Sequence, residues 1–71
     1  MTEEMNKKRQ MRIWQISTEL NSRVLNRLNS AVFNLYSGLE ERALEQEQQA
    51  LSHLKDSLKR WEDLIEKEEA S

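Results

Sequence analysis

The chain has 71 residues, 34% of them charged, with a net charge of −2, and it contains one glycine, no proline and no cysteine. A chain this short buries only about 60% of its unfolded surface, and without cysteine no disulfide or thiolate metal site can stabilise it. Oligomerisation or a partner is therefore expected to complete the core. The first residues lack the run of about seven or more apolar residues expected of a signal peptide, and no segment approaches the roughly 18 apolar residues that cross a bilayer. These features predict a soluble, cytoplasmic protein.

The first half of the chain has the apolar spacing of an amphipathic helix. From Ile13 onward, apolar residues recur every three or four positions, which is the period of an α-helix. Ile13, Val24 and Leu35 are also eleven apart, a repeat typical of a nearly straight helix. We predict a helix over about residues 5–36.

After Gly38 the apolar pattern changes to a seven-residue repeat. One row of large residues consists of Leu44, Leu51, Leu58 and Ile65. A mostly small row beside it, which allows a close neighbour, consists of Ala43, Ala50, Ser57 and Leu64. We predict a second helix over about residues 39–68. Antiparallel pairing of the two helices places Leu25 near Leu51 and Val32 near Leu44.

The segment between the two patterns, Ser37 and Gly38, is predicted to be a turn. The charge reverses at the same place, from +3 over residues 1–37 to −5 over residues 38–71. The turn would use either Ser37 and Glu40 as a capping pair or a left-handed Gly38. One continuous helix stays open as the alternative, because the apolar stripe passes through Leu39 and an internal glycine costs only about 1 kcal/mol.

The predicted fold is therefore all-α. It is a single domain, residues 1–71, formed by a coiled-coil-like antiparallel hairpin of two helices that completes a larger helical bundle by association with itself or with another protein.

Catalysis is not expected of this sequence. The single histidine, His53, falls on a solvent-facing helix position, and the carboxylates lie on exposed helix faces without the enclosed site that acid–base chemistry needs. No cofactor or metal site is predicted.

The first helix carries more large apolar residues than a two-helix seam can cover. Exposed rows of this kind usually mark an interface, in which aromatic side chains dominate the binding energy. The candidate partner-interface residues are Trp14, Leu25, Phe33, Tyr36 and Trp61.

The segment NKKRQMRIW, residues 6–14, is the strongest cluster of positive charge. Its basic side chains are candidate contacts for phosphate groups of a nucleic acid or an acidic membrane surface, with Trp14 as an anchor. These candidate anion contacts are Lys7, Lys8, Arg9 and Arg12. The acidic balance of the whole chain, with pI about 5.4, disfavours a dedicated nucleic-acid binder.

The leading functional hypothesis is a non-enzymatic protein–protein interaction module: an adaptor, assembly subunit or small chaperone that binds partner helices. One alternative is a homodimeric four-helix bundle that binds nucleic acid, which resembles the plasmid copy-number regulator Rop in size and hairpin layout only. A further alternative resembles the small hairpin co-chaperones of type III secretion needle proteins, again in architecture alone. The last alternative is peripheral attachment to a membrane through residues 7–16.

Overall fold

The structure, a computed structural model, describes residues 3–70, and residues 1, 2 and 71 of the predicted domain lie outside this range. The first arm consists of α1 (Glu3–Leu20), a π-helical segment (Asn21–Leu25) and α2 (Asn26–Tyr36), and the second arm is α3 (Glu40–Ala70). The two arms pack antiparallel as a hairpin that extends 53 × 18 × 10 Å between Cα atoms, so it is one helix layer thick. The predicted all-α hairpin is confirmed, and the alternative of one continuous helix is wrong.

The turn is closed by a left-handed glycine. Gly38 has φ +79°, its N–H donates to the carbonyl of Leu35 at 3.0 Å, and the N–H of Leu39 donates to the carbonyl of Asn34 at 2.8 Å. This pair of bonds is the Schellman motif, which satisfies carbonyls at the end of α2. The first helical bond of α3 then runs from Ala43 to the carbonyl of Leu39. Of the two predicted turn devices, the glycine is therefore the one that ends the first arm.

Small side chains form the seam between the arms. The apolar side chains buried there, among residues 3–70, are Ile16, Val24, Ala31, Ala43 and Ala50. Ser57, 4% exposed, continues the row of Ala43 and Ala50. Because helices approach more closely where the contact residues are small, this row lets the two arms pack tightly.

The large heptad row of α3 does not lie in the seam. Leu44 and Leu51 are 52% and 50% exposed, whereas the residue immediately before each, Ala43 and Ala50, is 4% and 1% exposed. Successive helical residues point about 100° apart, so only one of the two rows can lie in the seam. The small row occupies it, and the large row projects to the side.

The eleven-residue repeat of the first arm does not form one buried stripe. Val24 is buried, but Ile13 and Leu35 are each more than half exposed. The π-helical segment Asn21–Leu25 adds a residue to one turn and so changes the phase between Ile13 and Val24. Leu35 is the second-last residue of α2, beside the turn.

Charged pairs close the open end of the hairpin. Arg9 binds Glu69 through two hydrogen bonds of 2.8 and 2.6 Å, and Arg12 donates to Glu68 at 2.8 Å. The hydrogen bond from Arg9 lowers the pKa of the Glu69 carboxyl below its ordinary value of 4.5. Arg12 is only 8% exposed, so its charge requires this carboxylate pairing.

Candidate protein interaction surface

The large heptad row of α3 is the most regular exposed apolar feature. Its members are spaced seven apart, so they project from one side of the helix. They are Leu44, Leu51, Leu58 and Ile65, which are 52%, 50%, 42% and 39% exposed. We call this set the outer row of α3.

A corresponding row lies on the first arm. Its members, which we call the outer row of the first arm, are Ile13, Leu20, Leu28 and Leu35. Leu20 is half-buried and the other members are exposed. The residues are seven apart within α1 and within α2, but eight apart across the π-helical segment. The additional residue in that segment therefore keeps the row in phase along the whole arm.

Polar bonds across the seam show that the two outer rows are level with each other. Each member of the first arm's row directly follows a residue that bonds to α3. These bonds join Arg12 to Glu68, Glu19 to Arg60, Arg27 to Gln49 and Asn34 to Gln46. They place four pairs of outer-row residues at the same height along the hairpin: Ile13 and Ile65, Leu20 and Leu58, Leu28 and Leu51, and Leu35 and Leu44. We call these eight residues the apolar face.

An open groove between the arms shows that the two rows share one side of the hairpin. Its volume is about 260 Å³. The groove is lined by Val24, Leu28, Glu47, Ala50, Leu51 and Leu54. Leu28 and Leu51 belong to the outer rows, and Val24 and Ala50 are the seam residues at its base. Glu47 is the charged member of a lining that is otherwise apolar.

The other side of the seam is polar. Asn34 donates to Gln46 at 2.6 Å there, and a surface depression beside this bond contains mostly amide, hydroxyl and guanidinium groups. A second depression is formed around Glu19 and Arg60, which are paired. The hairpin consequently carries the two outer rows on one side and these polar pairs on the other, which we call the polar side.

The five predicted interface residues do not form a single patch with the apolar face. Phe33, 70% exposed, lines the depression beside Asn34 and Gln46, and Trp14, 63% exposed, lines the depression beside Glu19 and Arg60. Leu25 and Tyr36 are exposed and Trp61 is half-buried. Their contact with a partner stays a prediction.

The predicted anion contacts lie in two settings. Lys7 and Lys8 are exposed on α1. Arg9 and Arg12 are hydrogen-bonded to Glu69 and Glu68, so a phosphate group would compete with carboxylates for them. Phosphate binding by these residues stays a prediction.

The described residues show neither a metal-binding cluster nor a membrane-spanning helix. Across residues 3–70, no group of three or more His, Cys, Asp or Glu side chains is arranged to hold a metal ion. Within the same range, no helix combines the length and apolar character that would span a membrane. His53, predicted to face solvent, is half-buried.

Sequence reasoning missed the outer row of α3 as the exposed surface. The signal was present in Ala43, Ala50 and Ser57, whose small side chains repeat every seven residues directly before the large row. A small row permits the closest helix contact, and that contact turns the adjacent large row outward.

The comparisons with known proteins identify no relative. The sequence matches no protein-family model, and no curated protein and no solved structure shows significant similarity to the chain. Any functional conclusion consequently depends on the geometry of the hairpin.

Proposed function

We propose that the protein is a non-enzymatic helical interaction module, an adaptor, assembly subunit or small chaperone that binds partner helices through its apolar face. The observation that carries the proposal is the separation of two heptad rows on α3. Alanine and serine occupy the seam, while the large row of Leu44, Leu51, Leu58 and Ile65 is about half exposed.

The energy available from this surface supports binding. Burial of a fully exposed large aliphatic side chain contributes about 1.5–3 kcal/mol. Covering the eight residues of the apolar face, most of them about half exposed, would contribute on the order of 10 kcal/mol before the entropy cost of association. The hairpin itself buries no large side chain completely within residues 3–70. A partner would therefore supply a core that the isolated hairpin lacks.

The mode of binding that fits this surface is the packing of partner helices along the two outer rows, with a side chain inserted in the groove between the arms. Leu28 and Leu51 line the groove, and seam residues Val24 and Ala50 form its base. An amphipathic partner helix would place a large apolar side chain there, while the heptad row of α3 would contact the next turns of the same helix. Burial of such an anchor at the centre of the contact would supply much of the affinity.

The proposal is tested by sedimentation equilibrium of the purified chain at micromolar concentration, with circular dichroism and binding of the apolar dye 8-anilinonaphthalene-1-sulfonate. We expect either a helical, associated species or a monomer that is incompletely helical and binds the dye. An uncovered apolar face explains the second outcome, because a chain this short has a marginal core.

A matched pair of variants locates the surface. Leu51→Ser should reduce association or dye binding, whereas Asn29→Ser, at an exposed position on the polar side, should change neither. A fully helical wild-type monomer that binds no dye would contradict the proposed function, because it would have no apolar face that requires a partner.

A further inference from the structure

We infer that the partner covering the apolar face is a second copy of this chain, and that the two hairpins stack with their turns at the same end. The inference rests on the proposed function, since it names the occupant of the same surface. The product is a four-helix bundle in which the first arm of each copy packs on α3 of the other.

The match between the two outer rows favours a second copy. Both rows present a large aliphatic residue at the same four levels, beside the cross-seam bonds at Arg12, Glu19, Arg27 and Asn34. A second copy that faces the first therefore adds two more aliphatic side chains at every level. The result is four layers of four side chains, which is the core arrangement of a four-helix bundle.

The dimensions of the hairpin also suit self-association. Its face measures about 53 × 18 Å and its thickness is about 10 Å, which is one helix layer. Domains are built from at least two packed layers around a core. A face of this size buries roughly 800 Å² on each copy, the area of a standard stable interface.

Charge selects between the two ways of stacking. If the turns lay at opposite ends, α3 of one copy would pack against α3 of the other. In the register that pairs Leu51 with Leu58 of the second copy, Glu47 would then face Glu62 of the second copy, and the two carboxylates would repel each other. With the turns at the same end, the segment of net charge +3 lies against the segment of net charge −5. Opposite charges across an interface favour this orientation and disfavour the alternative.

The first test is the oligomeric state of the full chain, measured by sedimentation equilibrium. We expect a dimer. Leu51→Lys should weaken the dimer about 100-fold or more, because each copy would bury an unpaired ammonium group. Asn29→Lys is the control, because it adds the same charge at an exposed position on the polar side, and it should leave the dimer unchanged. Leu51→Ala gives the same direction of change in a variant that introduces no charge.

The second test measures the stacking direction. The chain has no cysteine, so Ser37→Cys places a single spin label at the turn. Turns at the same end would give a label distance of about 20 Å, from two helix layers 8–10 Å apart and the label arms. Turns at opposite ends would give a distance near the hairpin length of 53 Å.

Each result supports or overturns the inference. A dimer with the short label distance, weakened by Leu51→Lys but not by Asn29→Lys, supports it. A dimer with the long distance overturns the stacking direction, and a dimer that only Asn29→Lys weakens overturns the assignment of the face. A wild-type monomer that binds the apolar dye overturns self-association but leaves the proposed function standing, with a different protein as the partner.

Discussion

Gly38 adopts a backbone conformation that L-residues rarely tolerate. At φ +79° a side chain would crowd the following carbonyl oxygen, although a Cβ atom placed there would meet no other atom within 4 Å. The constraint is therefore local to the backbone. It does not arise from packing against the rest of the hairpin.

Replacement of this glycine should destabilise the hairpin through its backbone alone. We expect Gly38→Ala to lower the free energy of unfolding by about 1 kcal/mol, and Gly38→Asn by less, because asparagine tolerates the left-handed conformation better. Urea unfolding at fixed chain concentration measures the change. Ser37→Ala is the control and should be neutral, since the Schellman bonds close the turn. Equal stability of Gly38→Ala and wild type would contradict this account.

The open end depends on ionised carboxylates. Arg9 holds Glu69 with two hydrogen bonds, and the nearby Arg12 is buried against Glu68. Because the pKa of Glu69 is lowered in the folded hairpin, its charged form is favoured by folding. The stability that Glu69 contributes is fully present above its unfolded pKa of about 4.5 and is lost as pH falls through the lower folded pKa.

As pH falls, the open end of the hairpin should consequently lose stability before the turn does. We expect Glu69→Gln to remove part of the loss of stability that wild type shows between neutral pH and a pH below 4.5. Thermal unfolding as a function of pH measures the effect. Glu62→Gln, an exposed substitution on the same helix, is the control. The assignment fails if the wild-type and Glu69→Gln profiles have the same acid dependence.

The π-helical segment Asn21–Leu25 keeps the first arm in phase with α3. The seam residues of α3 repeat every seven positions, while Ile16 and Val24 in the first arm are eight apart. The π segment absorbs that additional residue, so the seam and the outer row both continue on their own sides of the arm. The segment adjusts phase, and no Pro or Gly is needed to produce it.

Deletion of one serine from each arm tests whether the π segment absorbs the additional residue of the first arm. Removal of Ser22 leaves Leu20 and Leu28 seven apart in a regular α-helix, so we expect the thermal midpoint to change by only a few degrees, about 1 kcal/mol or less. Removal of Ser52 from α3 leaves Leu51 and Leu58 six apart and rotates the following half of the helix by about 100°.

The Ser52 deletion should therefore lower the midpoint by roughly 10 °C or more, since it moves Ser57 and Leu58 out of their rows. The two deletions remove the same residue type from exposed helical positions, which makes them a matched pair. Circular dichroism melting curves compare them. Equal effects of the two deletions would show that the π segment does not absorb a residue of the repeat.

The whole hairpin is a single layer whose two sides differ. One side carries the apolar face and the other carries the Asn34–Gln46 and Glu19–Arg60 pairs. Because its seam contains mostly small residues, the layer has little core of its own within residues 3–70. Stability and binding are consequently linked at this level: covering the apolar face would supply the core that the isolated layer lacks.

The sequence by itself determined the helices and the turn. Apolar periods of 3.6 and seven residues place the two arms, and a lone glycine at the charge reversal marks where they separate, because these signals act within a few residues of one another. The predicted register of the arms is off by about one helical turn. Arg27 bonds to Gln49, which the predicted pairing places opposite it, but Asn34 bonds to Gln46 and Arg12 to Glu68, each four residues further along α3 than predicted.

Only the tertiary structure decided which heptad row lies in the seam. Ala50 and Leu51 are adjacent in the chain, and either row satisfies the period of the helix. The choice depends on how closely two helices can approach, which is a property of both arms together and is not encoded in either repeat alone. The same close approach leaves Leu51 and its row exposed, and so it creates the apolar face.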